Sequence, residues 1–345
     1  MARNKNGEIK MQSPKQGGFF KESLAEETQQ GVSYRTSFVR HTFTMSGLPH
    51  RKPEDDSAPF MRNMDNLVFS ASPIPLGEEY GEHKDLNYIG VPYGSKARMA
   101  LIWLSSQVNM PGRFPGNREI EIPIIKEWVS SLGLSVNGYS LSQLKEQILR
   151  LTKTHFSLAY QDEDNQEVKI FNPDGMIEGA TYSRDDIEHY LNGHPEKMKW
   201  PASIVLTKQA YEGFLNHSVP IPTEALTNLS ASSMAIDLLM FLSFRLPQVD
   251  PGAKELVDWS DLASLFGSGE TPGKFKHRHI KAITAASAAS GKGAVKVTDL
   301  GLLLHYRDPE QLKKAFYVST PVEARLQDRK RRVKLQKEDA VNLNK

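Results

Sequence analysis

The chain of 345 residues contains no cysteine. Disulfides and thiolate metal sites are therefore excluded, as suits a protein of a reducing compartment. It also lacks any run of about 18 apolar residues, so no membrane span and no membrane partner are expected. Its opening, MARNKNGEIKMQ, has no apolar stretch of the secretory kind. These absences together point to the cytoplasm. Charge of one sign is scarce as well: 43 Lys and Arg stand against 41 Asp and Glu, a net +2. Whole-chain charge thus selects no polyanionic partner, and the distribution of charge carries the information.

That distribution is uneven. Thr271–Lys292 holds five Lys and Arg and no acid, and Val322–Lys345 holds eight against four acids. In TPGKFKHRHIKAITAASAAS, Thr271–Ser290, Thr-Pro supplies a cap and a pre-set first turn. Phe275, Ala282, Ile283 and Ala286 fall on one side at helical spacing, and Lys274, His277, Arg278 and Lys281 on the other. A short amphipathic helix, Ser260–Phe266, precedes it, and two β-rich runs over Ala294–His305 follow. Helix, turn, basic helix and hairpin in this order form a winged helix-turn-helix, whose basic helix lies in the major groove. Lys276 and Lys292 join the candidate DNA contacts. The tail cluster Arg329–Arg332 reads as a basic arm that adds phosphate affinity.

A comparable order occurs earlier in the chain. Lys96–Val108 carries a helical apolar stripe, Glu119–Ile122 alternates as a short strand, and Ile124–Leu132 presents an apolar face closed by Gly133. Asn137-Gly138 marks a turn, and Ser140 with Gln143 fits a capping box for a helix over Leu141–Lys153. That helix is expected to bury Leu141, Leu144, Ile148 and Leu151. Ser142, Gln143, Lys145, Glu146, Gln147 and Arg150 would face solvent. Gln143, Gln147 and Arg150 suit base edges, Gln with adenine and Arg with guanine. Phe156–Tyr160 and Val168–Phe171 would be the hairpin. Trp103, Trp128 and Trp259 read as core, and Lys96 and Arg98 as phosphate contacts or solvated charge at a helix end.

The expected fold is mainly α with small β hairpins, an α+β chain of tandem winged helix-turn-helix domains. Residues 1–85 are read as a polar, partly disordered arm, 86–211 as a first winged helix, 212–308 as a second, and 309–345 as a basic tail. The candidate DNA-binding set is Ser142, Gln143, Lys145, Gln147, Arg150, Lys274, Lys276, His277, Arg278, Lys281 and Lys292.

Motifs of catalysis are weak. His277-Arg278-His279 superficially resembles the metal-binding pair of nicking enzymes, but side chains at i and i+2 diverge on a helix. Gly269–Lys274, GETPGK, is one residue short of a P-loop between its glycines and is followed by Phe275. No enzyme, metal or cofactor is expected.

Three segments resemble the RepA family of plasmid replication initiators: YIGVPYGSKARMALIWLSSQ (Tyr88–Gln107), EIEIPIIKEWVSSLGL (Glu119–Leu134) and LSQLKEQILRLTKTHFSL (Leu141–Leu158). GLPHRKP at Gly47–Pro53 resembles the family's upstream element. PIPTEALTNLSASSMAIDLLMFLSFRL and LFGSG with FKHRHIKAI resemble its second half. Lys96-Ala97-Arg98 departs from the family, standing where a proline is common. The resemblance implies a bacterial cytoplasmic initiator that binds repeated sites in double-stranded plasmid origin DNA, helps open the origin and recruits a host replication initiator and helicase. It also implies a monomer–dimer equilibrium and repression of the chain's own gene. A winged-helix transcription regulator with no initiator role is the rival reading.

Overall fold

The computed structural model describes residues 36–40, 47–64, 67–76, 87–109, 113–122, 129, 136–162, 167–171, 175–201, 203–267 and 269–308. The tail cluster at 329–332, Trp128 and most of the helix expected over 124–132 lie outside them. Val129 is helical and fully buried.

The described residues begin with strands β1 (Thr36–Arg40), β2 (Phe60–Met64), β3 (Leu67–Pro73), β4 (Pro75–Leu76) and β5 (Asn87–Tyr88). Helix α1 (Gly94–Val108), strand β6 (Glu119–Glu121), helix α2 (Gly138–Thr152) and strands β7 (Thr154–Asp162), β8 (Glu167–Phe171) and β9 (Ile177–Ala180) follow. Next come α3 (Arg184–Leu191), β10 (Ser203–Leu206), α4 (Lys208–Asn216), β11 (Ser218–Pro222) and α5 (Thr223–Leu229). The last part runs α6 (Ser233–Arg245), β12 (Lys254–Asp258), α7 (Trp259–Phe266), α8 (Pro272–Ala289), β13 (Val295–Val297) and β14 (Gly301–His305). The mixture of helices and several small sheets is an α+β fold.

Local chemistry sets the helix starts. Side chains of Asn137, Ser183, Thr207, Ser232 and Asp258 each accept a backbone N–H of the first turn of α2, α3, α4, α6 and α7. The cap of α2 is therefore Asn137, whose Oδ1 accepts from Ser140 N at 2.8 Å, rather than Ser140 with Gln143 as the sequence suggests. Pro272 occupies the first turn of α8, but Thr271 makes no side-chain cap bond.

The sheets tie distant parts of the chain together. Order β2-β3-β7-β8 adds two strands from before residue 86 to the β7–β8 hairpin, with Leu67 opposite Tyr160 and Pro73 opposite Thr154. β1 pairs antiparallel with β11. Phe69 and Ala71 of β3 and Leu48 are fully buried in the main core. The segment read as a polar arm thus supplies structural strands. β6 pairs with β10, in the order β6-β10-β9, instead of joining the β7–β8 hairpin. In the last part, by contrast, the strand before the helix pair does join the hairpin, in the order β12-β14-β13.

One main hydrophobic cluster runs from Leu48 through α1, α2 and α6 to Leu304. Within it α1 and α6 are joined by a buried ion pair. Arg98 Nε and Nη2 donate to Asp237 Oδ1 and Oδ2 at 2.5 and 2.7 Å. Its remaining donors go to the carbonyls of Leu48, Pro49 and Gly94, so all five guanidinium N–H groups are used. Arg98 is 2% exposed and is neither a phosphate contact nor a solvated helix-end charge. A second arginine, Arg62 of β2, is also buried, and it donates to the Leu265 carbonyl near the end of α7.

His50 lies against this pair, its Nδ1 2.9 Å from Ser233 Oγ and its Nε2 3.9 Å from Asp237. Burial lowers its pKa from 6.5 to about 4; Asp237 opposes that shift, while Arg98 and Arg62 add to it. The ring is neutral in the folded protein at neutral pH. Unfolding returns it to an ordinary imidazole, so the unfolded chain binds more protons between pH 6.5 and about 4. The stability from a neutral His50 is complete above pH 6.5 and is lost as the pH falls towards 4. A loss on the order of 3 kcal/mol is expected across that window. Urea unfolding at stepped pH should show it, and His50→Gln should flatten that part of the profile; an unchanged profile would refute the assignment to His50.

Candidate nucleic-acid interface

Helix α8 separates its faces cleanly. Phe275, Ile283 and Ala286 are fully buried, Ala282 packs at their edge, and the helix rests on α6 and α7. Lys274, His277, Arg278 and Lys281 are exposed. Among the described residues no acid pairs with Lys274 or Lys281, whereas Arg278 is ion-paired with Glu270. Lys276 differs from the others: it is half-buried, its Nζ 5.1 Å above the Trp259 ring and 3.3 Å from Asp299 Oδ1. Lys292, just beyond the helix, is exposed, and its carbonyl accepts from Arg307.

The turn between β13 and β14 is held against the start of α7. Trp259 Nε1 donates to the Asp299 carbonyl at 2.8 Å, and Trp259 N to the Leu300 carbonyl at 3.2 Å. Thr298 N bonds the Gly301 carbonyl at 2.9 Å. A Cβ on Gly301 would overlap the Val257 carbonyl oxygen, so only glycine lets β14 approach β12 this closely. The turn is therefore fixed beside the Lys276 edge of α8, with Leu300 69% exposed at its tip.

Helix α2 differs from its expected form. Leu144, Ile148 and Leu151 are buried and Leu141 packs at the edge of the core. Gln147 and Arg150, expected to face solvent, are 1% and 0% exposed. Gln147 Oε1 accepts Tyr93 N at 2.8 Å. Arg150 pairs with Glu146 and Asp56, both at 3.0 Å, and stacks 5.1 Å from the centroid of the Tyr93 ring. Both are structural clamps, removed from the DNA-binding set. Lys145 is half-buried, donates to the Met198 carbonyl and lies 5.8 Å from the Trp200 ring, so its charge is turned towards the protein. Ser142 and Gln143 remain half-exposed near the helix start, where Gln143 Nε2 donates to Tyr139 Oη at 2.7 Å. Tyr139 is 73% exposed and is absent from the set that the sequence suggests. It stands two residues after the cap, in the first turn of α2, beside Ser142 and Gln143.

Residues 91–260 match the profile of the family described as plasmid-encoded RepA protein. The resemblance is thus a family match over that span. It takes in α1, α2 and α6 and stops before α8. No curated protein matches the chain. Two solved structures are similar: RctB domains 2–3, at 11% identity over 80% of this chain and all of that one with a TM-score of 0.45, and a selenomethionine derivative of domains 2 and 3 of RctB, at 12% identity over 74% and 87% with a TM-score of 0.44.

The RepA-like motifs around Gly47 and Gly90 build buried geometry. Gly47 of GLPHRKP packs directly on the Asp237 carboxylate and near Arg98 Nη2, where a Cβ would displace the ion pair. Gly90, at the head of the VPYGS element, has φ +77° and lies against Arg150 Nη1 and Asp56 Oδ1. Its left-handed backbone and its close approach both require glycine. The segments that carry the RepA resemblance around these glycines therefore seat Arg98 and Arg150. They do not form the exposed basic face.

Proposed function

We propose that the protein is a plasmid replication initiator that binds repeated sites in duplex origin DNA without catalysing a reaction. The observation that carries this reading is the exposed cationic face of α8, a helix with no acidic residue of its own, set on a buried apolar face and flanked by the turn of a three-stranded sheet. In this reading α6, β12, α7, α8 and the β13–β14 hairpin act as a winged helix. α8 enters the major groove, and Lys274, Lys281 and Lys292 neutralise phosphates beside it. The match to plasmid-encoded RepA proteins supports the initiator role over that of a regulator. The α1–β6–α2–β7–β8 region is a second, more altered winged helix, and the start of α2 at Tyr139, Ser142 and Gln143 is its DNA-facing end. Recruitment of a host initiator and helicase, a monomer–dimer equilibrium, repression of its own gene and a cytoplasmic setting belong to the same proposal.

The test is a footprint of the full-length protein on the DNA flanking its gene. Protection of tandem direct repeats, each about 20 base pairs or two adjacent major-groove contacts, is the expected result. Protection of one palindrome at the promoter alone would favour the regulator, and absence of protection would refute duplex recognition.

A further inference from the structure

The exposed cations of α8 are not equivalent. Arg278 is 65% exposed in its side chain, yet its Nη1 is held by Glu270 Oε1. Glu270 is not a loose surface acid. Its side chain is 13% exposed, its Oε2 is buried without a hydrogen bond, and His279 Nε2 lies 3.8 Å from that oxygen. The residue before it, Gly269, has φ +74°, which turns the chain between α7 and α8 and sets Glu270 just before the first turn of α8. His279 is itself pinned: its ring centroid is 4.9 Å from that of the buried Phe275. Burial lowers the His279 pKa, with Glu270 opposing and Arg278 adding to the shift. The carboxylate is thus buried on one side against His279 and holds one arm of the guanidinium on the other.

A cation already tied to a carboxylate is a poor phosphate neutraliser, because its field is largely cancelled before DNA arrives. It is a good reader. One arm of the planar fork is fixed, the side chain has already lost much of its rotamer freedom, and the other N–H groups stay available for a bidentate contact. Lys274 and Lys281 have the opposite properties: no ion-pair partner among the described residues, flexible stems and point charges. Resting on the duplex reading above, we propose that Glu270 is a positioning residue that presents Arg278 to a guanine edge, making this pair the sequence-discriminating element of α8, while the lysines bind phosphate.

The test uses full-length protein and a pool of duplexes with a randomised core, selected by binding and sequenced, together with affinity for unselected pool DNA. Wild type should enrich a site with guanine at one position. Arg278→Lys keeps the charge but removes the fork, and Glu270→Gln keeps the shape but removes the anchoring charge. Both should lose preference at that one position, by roughly 5- to 150-fold for a good bidentate contact. Neither should weaken binding to unselected DNA, and Glu270→Gln should strengthen it by freeing the Arg278 charge. A Glu270→Gln motif identical to wild type would overturn the positioning role while leaving duplex binding intact. An Arg278→Lys motif that keeps its guanine would overturn the reader role. If wild type enriches no motif, the underlying reading fails and this inference falls with it.

Discussion

Lys274→Ala combined with Lys281→Ala should remove most of the affinity for duplex DNA at moderate salt. The slope of log affinity against log salt should fall by about two units, one for each phosphate that is no longer neutralised. Both side chains project from the exposed face of α8 and are bonded to no described acid. Their removal should therefore leave folding stability within about 0.5 kcal/mol of wild type. Fluorescence anisotropy across a salt series, alongside a urea melt, measures both quantities. A double variant that keeps the wild-type slope would take α8 out of the interface. Arg278→Ala should behave differently, with a smaller change in slope, because the charge it removes is already paired with Glu270.

The largest effect on stability is expected at Asp237. Asp237→Ala removes the one carboxylate among the described residues that pairs with Arg98, and leaves a guanidinium buried to 2% exposure beside His50 and near Arg62. Breaking a buried pair in this way costs about 3–5 kcal/mol, a large share of the roughly 5–15 kcal/mol that holds a domain together. The contrast is Glu255, which pairs with buried Arg245 from a position 27% exposed to solvent. There water replaces the missing carboxylate, and Glu255→Ala should cost clearly less. Urea midpoints of the two variants decide the ranking, and equal midpoints would refute the burial argument.

The second half of the fold is largely legible in the sequence. The helix expected over Thr271–Ser290 spans Pro272–Ala289, and the expected Ser260–Phe266 helix spans Trp259–Phe266. Their apolar periods are long, and glycine, proline and capping residues punctuate their ends. In the first half the sequence reveals the helix over Leu141–Lys153 but misplaces its exposed face at Gln147 and Arg150. Each stands beside a core position, Gln147 next to Ile148 and Arg150 next to Leu151. What buries them comes from afar, Tyr93 and Asp56. A single sequence shows helical period but not which distant segment will cover a polar shoulder. Arg98 misleads for the same reason, because its partner Asp237 sits on α6. β2 leaves no sequence signal and β3 only an isolated short run, since its apolar residues gain meaning only when paired with β7.

The long-range strand pairs also constrain how the protein is made. Thr36 lies opposite Pro222, and β3 opposite β7, so the region preceding α1 finds its partners only after much of the chain has been synthesised. At about 5–20 residues per second on the ribosome, roughly ten to forty seconds separate the emergence of Thr36 from that of Pro222. Throughout that interval Arg98 has no Asp237. A nascent chain halted near residue 211 would display α1 with its buried arginine uncompensated, and so would a fragment cut there, which would also lack β11. Such an intermediate leaves the apolar face that α1 turns to α6 uncovered, so a pause in synthesis between the two helices is where aggregation would compete with folding.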